Sequence, residues 1–348
     1  MVESARSPLP TGPQARAANT RIIDIHGHTF APEVEKLIAD RPERAAEMAA
    51  MAVASGPDSH QHNLTDMLPK AAERMASLEK RLRDMDWMGI DLQLVSPSPT
   101  QYGYWADAVL ADEIVAATNA AVAALVARSP DRLAGLGTVS LQHPERAAAQ
   151  LSVLGDRHGL KGIQISASVG ERELSDPSFE PFWQAANARK LLVFIHPMGS
   201  SLGARLDRHY LSNTVGQPIE TTIALSHLIF SGVLDRYPDI RFLGAHGGGY
   251  LPAYIGRSDH VWKVRPEARR CRERPSAYLR RIWVDTVVFD GDELTRLIDV
   301  MGADRVLFGT DYPYDMGSYT PGALLKQAGL DDTARRAVLA DNAMALLG

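Results

Sequence analysis

The sequence predicts an α/β protein built as a (β/α)8 barrel with an insertion after its first strand. Three observations carry that expectation. Eight short apolar runs recur along the chain, helical patterns separate them, and the 348 residues hold the roughly 250 of such a barrel with room for insertions.

The first run, RIIDIH (21–26), is followed by a further histidine at position 28. After it come DLQLVSPS (91–98), RLAGLGTVS (132–140), LKGIQIS (160–166), LLVFIHP (191–197), IRFLGAH (240–246), RIWVDTV (281–287) and RVLFGTDYP (305–313). Each is rich in Ile, Leu, Val or Phe without clean polar alternation, the pattern of parallel strands covered on both faces. Helices are expected between them. AAERMASLEKRLRDMDWMG (71–89) precedes the second run, and 112–131 follows it. The segment 144–159 opens on Pro144 at a first-turn position and runs to a glycine. Two more helices are read at 220–238 and 292–305, the latter placing Leu294, Leu297, Ile298 and Met301 at helical spacing. Strand and helix alternating eight times is the signature of a TIM barrel, so 21–348 reads as one domain. Residues 31–90 form the insertion, and 198–219 a long loop containing Gly and Ser. Connections of that length usually serve function or move. Residues 1–20 are rich in Pro, Ala, Gly and Ser and read as a disordered lead-in, without the apolar segment of a signal peptide.

Composition narrows the classes of function. Hydrophobic residues make up 45% and charged residues 23%, as in a soluble globular protein with a sizeable core. Net charge is −5, and no basic stripe, zinc-finger spacing or aromatic RNA-binding motif is present, so no nucleic-acid partner is expected. No run reaches the roughly 18 apolar residues of a membrane span, so no membrane is expected either. The single cysteine, Cys271 in RRCRERP, rules out an intrachain disulfide and suggests a reducing, cytoplasmic location.

The catalytic groups of a barrel of this kind collect at the C-terminal ends of its strands. Those ends carry His26 and His28 (first run), His196 (fifth), His246 (sixth) and Asp311 (eighth). Alternate residues of a strand share a face, so His26 and His28 point together into the barrel mouth. A shared cation accounts for two crowded imidazoles. Neutral His26, His28 and His196 with the Asp311 carboxylate, and a position left for water, suit one divalent ion. Zn²⁺ is the first choice and Mn²⁺ or Co²⁺ the alternatives; no organic cofactor is expected. His246 stands in AHGGGYLPAYIGR, where three glycines permit close backbone approach. With four ligands already supplied, it is the candidate general acid/base beside the metal-bound water. The ion would bring the pKa of that water towards about 7. Eleven residues on stands Arg257, a residue type that clamps carboxylates in two-pronged fashion, against the plainer reading of an exposed arginine.

The remaining histidines read as structural. His60 and His62 repeat the spacing of the first pair, but no strand precedes them, and they are expected in a loop. His227 sits on an apolar helical stripe and is expected in the core or at a helix contact. His143, before Pro144, reads as a cap. Asp24, in phase with His26, and Asp285, in the seventh run, could each accept a hydrogen bond from a ligating histidine or serve structure alone.

These motifs together resemble the amidohydrolase superfamily, and within it the family of aminocarboxymuconate semialdehyde decarboxylase. IDIHGHTF, GYW (103–105), RLAGLGTVSLQHPERA, GIQI, FIHP, GQPIETTIA, FLGAHGGGYLPAYIGR and LFGTDYP are similar to that family's segments in the same order, across Arg21 to Gly348. The resemblance implies the barrel and one divalent metal, commonly zinc. It implies metal ligands at His26, His28, His196 and Asp311, and a catalytic histidine at His246. It also implies a homodimer in which Arg257 reaches the substrate carboxylate in the neighbouring active site. Trp105 and Met198 become candidate substrate contacts. There are departures. HNLTDMLPK offers no second substrate-binding arginine, a pocket tryptophan is replaced near Asn213, and the family's HPW becomes His196-Pro197-Met198. The metal machinery is retained while the substrate clamp has changed.

The leading reading is therefore a metal-dependent, non-oxidative decarboxylase of a small aromatic or unsaturated carboxylic acid, with His246 or Asp311 moving the proton. A hydrolase or hydratase using metal-bound hydroxide is the alternative on the same scaffold. A catalytically inactive barrel serving as a binding protein is a third, and five intact strand-end groups argue against it.

Overall fold

All eight apolar runs become parallel strands of one sheet, in chain order. In the computed structural model, which describes residues 21–348, they span Ile23–Thr29, Leu92–Pro97, Leu133–Gly137, Gly162–Ile165, Leu192–Ile195, Arg241–Gly244, Ile282–Asp285 and Val306–Leu307. The expected lead-in at 1–20 lies outside the described residues. Between the first and eighth strands, Ile25 N donates to Phe308 O at 3.0 Å and His28 N to Tyr312 O at 2.6 Å, which completes the ring.

The strands sort their side chains into two layers. Ile23, Ile25, Leu94, Leu136, Leu192, Phe194, Leu243 and Leu307 form one cluster, joined by Ala343 and Leu346 of the last helix. Val95, Ile163, Ile165, Val193, Phe242, Val284 and Val306 pack in the second, with the surrounding helices. Each fully buried Leu, Val or Phe contributes about 1.5–3 kcal/mol. Burial on both faces is the reason the runs lack alternation.

The first strand departs from the expected phase. Asp24 pairs with Gln93 but Gly27 with Val95, so one extra residue lies between them. Such a bulge resets the alternation of side chains. Asp24 therefore does not share a face with His26. Its carboxylate accepts from Gln93 Nε2 at 2.7 Å, and Gln93 Oε1 accepts from Arg81, on the helix Leu78–Met88, at 2.6 Å. Within the bulge the His26 ring packs edge-on against Phe194 of the first cluster, with centroids 4.9 Å apart.

One helical expectation is corrected. The stretch 71–89 is two helices, Leu68–Ala76 and Leu78–Met88, broken at Ser77, whose extended backbone and Oγ cap the second. The helix Ala108–Ala127 is long and apolar enough, by length and composition, to cross a membrane. Asp112 and Glu113 interrupt its apolar run near the start. Here it packs on the barrel core through Val122 and against the insertion through Leu110 and Ile114. Its Asn119 accepts from Thr138 N at 2.8 Å and donates to Thr138 O at 3.1 Å.

The insertion is helical over Pro32–Ile38, Pro42–Ser55 and Pro57–His62, then turns through a π-helical segment at Asn63–Met67. Prolines open the first three, where the missing N–H costs nothing. His60 and His62 therefore stand on a helix and not in the expected loop. The insertion lies directly on the 198–219 loop. Gly56 has φ +78°, and a Cβ there would come within 1.6 Å of Asp207 O. Only glycine meets both conditions.

Candidate metal centre and active site

The five strand-end groups converge on one point. His26 Nε2 and His28 Nε2 lie 3.1 Å apart, and Asp311 Oδ1 is 3.1 Å from His28 Nε2 and 3.3 Å from His26 Nε2. The His196 ring centroid stands 5.0 Å from His26, 4.8 Å from His28 and 5.0 Å from His246. His246 Nε2 is 3.7 Å from Asp311 Oδ2. One donor atom from each of His26, His196, His246 and Asp311 lies within 4.8 Å of the others.

The far ring nitrogens are engaged away from this point. His26 Nδ1 meets Asp285 Oδ2 at 2.8 Å, His28 Nδ1 meets Pro97 O at 3.3 Å, and His196 Nδ1 meets Pro197 O at 2.9 Å. Acceptors on that side keep the ring proton on Nδ1 and leave the Nε2 lone pairs pointing inward. His196 Nε2 is buried without a hydrogen-bond partner. Lone pairs and a carboxylate crowded out of water repel one another unless a cation lies among them. Ligand bonds of about 2.0–2.2 Å put tetrahedral neighbours about 3.4 Å apart. The contacts of 3.1–3.3 Å here are close to that spacing. The donor set fits a divalent metal ion.

Electrostatics favour the neutral form at two of the rings, whereas at His26 burial is outweighed by Asp311 and Asp285, which raise its pKa. Burial holds His196 well below its ordinary pKa, and the neighbouring imidazoles push the same way. Burial also lowers His28. Both rings are thus neutral at pH 7, the form that binds metal. Burial opposes ionisation of Asp311, but His26, His246 and His28 outweigh it and hold the carboxyl well below its usual range.

Two of the five groups sit on unusual backbone. His246 has φ +55° and Asp311 φ +59°, in the left-handed region that side chains rarely adopt. Such conformations persist only where the surroundings over-determine them. Asp285 supplies much of that hold, accepting from His246 N at 2.9 Å, Gly247 N at 2.8 Å and Val287 N at 3.0 Å. The same carboxylate fixes the His26 ring, so the sequence expectation of a supporting role is realised by Asp285. Asp285→Asn is expected to weaken metal binding about 10–100-fold with the fold retained. Equilibrium dialysis measures it, and an unchanged affinity would remove Asp285 from the site.

The sequence profile of the family described as Amidohydrolase matches residues 23–348. The chain belongs to that family. It is 34% identical over 271 residues to 2-amino-3-carboxymuconate-6-semialdehyde decarboxylase of Dictyostelium discoideum, covering 77% of this chain and 76% of that protein. This amidohydrolase therefore falls in the aminocarboxymuconate semialdehyde decarboxylase-like family. It is 28% identical over 265 residues to gamma-resorcylate decarboxylase of Polaromonas sp., covering 71% of this chain and 80% of that one. Among solved structures, 5-carboxyvanillate decarboxylase of Sphingomonas paucimobilis aligns with a TM-score of 0.79 at 27% identity, over 94% of this chain and 99% of that one. These relatives are decarboxylases of small carboxylic acids, and the hydrolase or hydratase alternative is not favoured.

In this amidohydrolase a cavity of about 870 Å³ runs outward from His246 and Asp311 past Asn213, Tyr250, Phe289 and Met316. Met198 is half-buried just beyond the fifth strand, and Trp105 packs with Ala31, Val34 and Leu110 beneath the insertion. Neither lines that cavity. Arg257 is exposed on the helix Leu251–Val264, in a separate groove beside Tyr250 and Tyr254. His227, expected in the core or at a helix contact, is exposed and pairs with Ser175 Oγ at 3.1 Å. His143 occupies the cap position, but its ring meets Ala106 O at 3.1 Å in place of capping.

Sequence reasoning missed Arg81. It is fully buried, donates to Gln93 Oε1 at 2.6 Å and to His28 O at 2.5 Å, and lies 4.9 Å over the Tyr312 ring. A signal existed: Arg81 shares the helical stripe of Leu78, Met85 and Met88, a face where a charge is out of place.

Proposed function

We propose that this protein removes carbon dioxide from a small aromatic or unsaturated carboxylic acid, with Zn²⁺ held by His26, His28, His196 and Asp311 and with His246 handling the proton. The observation that carries these roles is an asymmetry among the histidines. Three have their outer nitrogens tethered to acceptors, as metal ligands do, whereas His246 Nδ1 is buried without a partner. The fourth imidazole lacks such a tether.

A divalent ion at this point supplies Lewis-acid polarisation of a substrate oxygen and an acidified water. The chain's own residues do the rest. The Nδ1 tethers keep three rings in one tautomer and orientation. As the bond between the ring or alkene carbon and the carboxyl carbon breaks, its electron pair stays on the former, and CO₂ departs. A proton then moves to that carbon from His246 Nε2, or by way of Asp311 Oδ2, 3.7 Å away, acting as carrier of a proton first taken from the substrate or its water. His246 is 13% exposed at the inner end of the cavity, which lets it recover a proton from solvent between turnovers.

The second part of the reading is a homodimer in which Arg257 serves the neighbouring active site. Arg257 is exposed and outside its own chain's cavity, while Tyr254 beside it is 71% exposed, unusual for an aromatic residue of that size. Arg257→Ala is expected to raise KM for the carboxylic acid. Mixing inactive His246 and Arg257 variants should restore part of the activity after subunit exchange. An unaffected KM together with no recovery would leave Arg257 without a role in binding.

Metal analysis of the purified protein, followed by CO₂ release from a panel of hydroxybenzoates and muconate-type acids, tests the whole reading. One zinc per chain with CO₂ released is the expected result. Metal without CO₂ from any acid would overturn the decarboxylase assignment.

A further inference from the structure

His26 is tethered through a carboxylate, but His28 and His196 lean on main-chain carbonyls at the strand ends, those of Pro97 and Pro197. Ser96 Oγ, which donates to Gly27 O at 3.1 Å, lies 3.3 Å from the same nitrogen of His28. A carbonyl holds a ring only as firmly as the chain that carries it is held. One buried side chain reaches both places. Gln164, on the fourth strand, donates from Nε2 to Pro97 O at 2.8 Å and to the Tyr102 hydroxyl at 2.8 Å. That hydroxyl donates to His196 O at 3.1 Å, on the peptide that leads into Pro197. The directions are fixed by chemistry. Both ends of this chain of hydrogen bonds are carbonyls, which only accept, so Tyr102 gives its proton to His196 O and takes one from Gln164. The Tyr102 ring is itself stacked on Tyr104, with centroids 5.3 Å and planes 11° apart, and the Tyr104 hydroxyl accepts from Ser166 N at 3.3 Å.

We propose that Gln164, extended by Tyr102, is the positioning residue that sets His28 and His196 against each other around the metal ion. This rests on the ligand set proposed above. Gln164 acts through the carbonyl that tethers His28 and, by way of Tyr102, through the carbonyl next to the His196 tether. The two rings stand at 81° with centroids 4.8 Å apart, and this is the relation that the chain of hydrogen bonds preserves. The amide is placed there at a cost to the fold. Gln164 is fully buried and its Oε1 has no hydrogen-bond partner, a state that lowers stability. A position filled for packing alone would carry an apolar side chain, as its register partner Phe194 on the fifth strand does. A local rule broken in this way marks a residue set by the site. The fourth strand thus serves the metal centre without supplying a ligand, by linking the ends of the second and fifth strands.

The test is metal binding by the full chain. Gln164→Met keeps the length of the side chain and removes both donors, whereas Tyr102→Phe removes one hydroxyl. Each is expected to weaken Zn²⁺ binding in equilibrium dialysis about tenfold or more, the scale for groups that orient metal ligands. The visible absorption of bound Co²⁺, which follows coordination geometry, should shift in both variants. The double variant should lose less than the product of the two single losses, since both residues act along one chain. A merely structural role would lower the stability of the metal-free protein in urea and leave the zinc affinity and cobalt spectrum of the folded protein unchanged. That pattern overturns the proposal. Should Gln164→Met not fold, Tyr102→Phe decides by the same two readouts. His28→Asn keeps the two readings distinct. If it loses zinc while Gln164→Met and Tyr102→Phe bind as the unaltered protein does, the ligand set stands and the positioning role falls. Zinc bound unchanged by His28→Asn overturns the ligand set and this proposal with it.

Discussion

His246→Asn is expected to keep one metal per chain and an unchanged fold while lowering turnover by about 10²-fold or more, the usual scale for a general acid or base. The reasoning is geometric. His246 is the histidine of the cluster whose outer nitrogen lacks an acceptor, and its Nε2 is no closer than 3.7 Å to the Asp311 carboxylate. His28 Nε2, by contrast, lies 3.1 Å from both His26 Nε2 and Asp311 Oδ1. His28→Asn should therefore lose metal along with activity. Metal analysis of the two variants separates the roles. If His246→Asn loses the metal and His28→Asn retains it, the ligands are instead the four groups whose donor atoms lie within 4.8 Å of one another, His26, His196, His246 and Asp311.

The second large effect falls on stability. Arg81→Met should destabilise the metal-loaded protein by about 3–5 kcal/mol, the cost of removing one partner from a buried charge network. Met fills the helical stripe, so the loss comes from the charge and its hydrogen bonds. Gln93 Oε1 and His28 O lose their donors, and Asp24 loses the cation relayed to it through Gln93. Burial already raises the pKa of Asp24, although Thr310, Gln93 and the His26 backbone all donate to it. Urea unfolding with metal present in both proteins measures the difference. Adding Asp24→Asn to Arg81→Met should cost less than the sum of the single changes, because the second removes a charge that the first has stranded. Strict additivity, or a shift below about 1 kcal/mol for Arg81→Met, would mean that Arg81 does not compensate Asp24.

Much of this protein is written in local sequence. Barrel strands buried on both faces must be apolar nearly throughout, so eight runs located eight strands, and their C-terminal ends located the convergent histidines and Asp311 without any view of the fold. Charge or hydrogen bonding across the fold leaves no such trace. The tie between His26 and Asp285 joins residues 259 positions apart, and His62 of the insertion lies 3.7 Å from Asp315, beyond the eighth strand. Nor could alternation place Asp24, because with a single extra residue before Gly27 its carboxylate meets the backbone of His26 and not the ring, and it is tied to Gln93 and through Gln93 to Arg81. What the sequence by itself determined were the strands and the residues at their ends, since periodicity is a property of neighbours in the chain. What only the tertiary structure decided were the partners of those residues, since a hydrogen bond depends on distance in space, and the fold alone sets that.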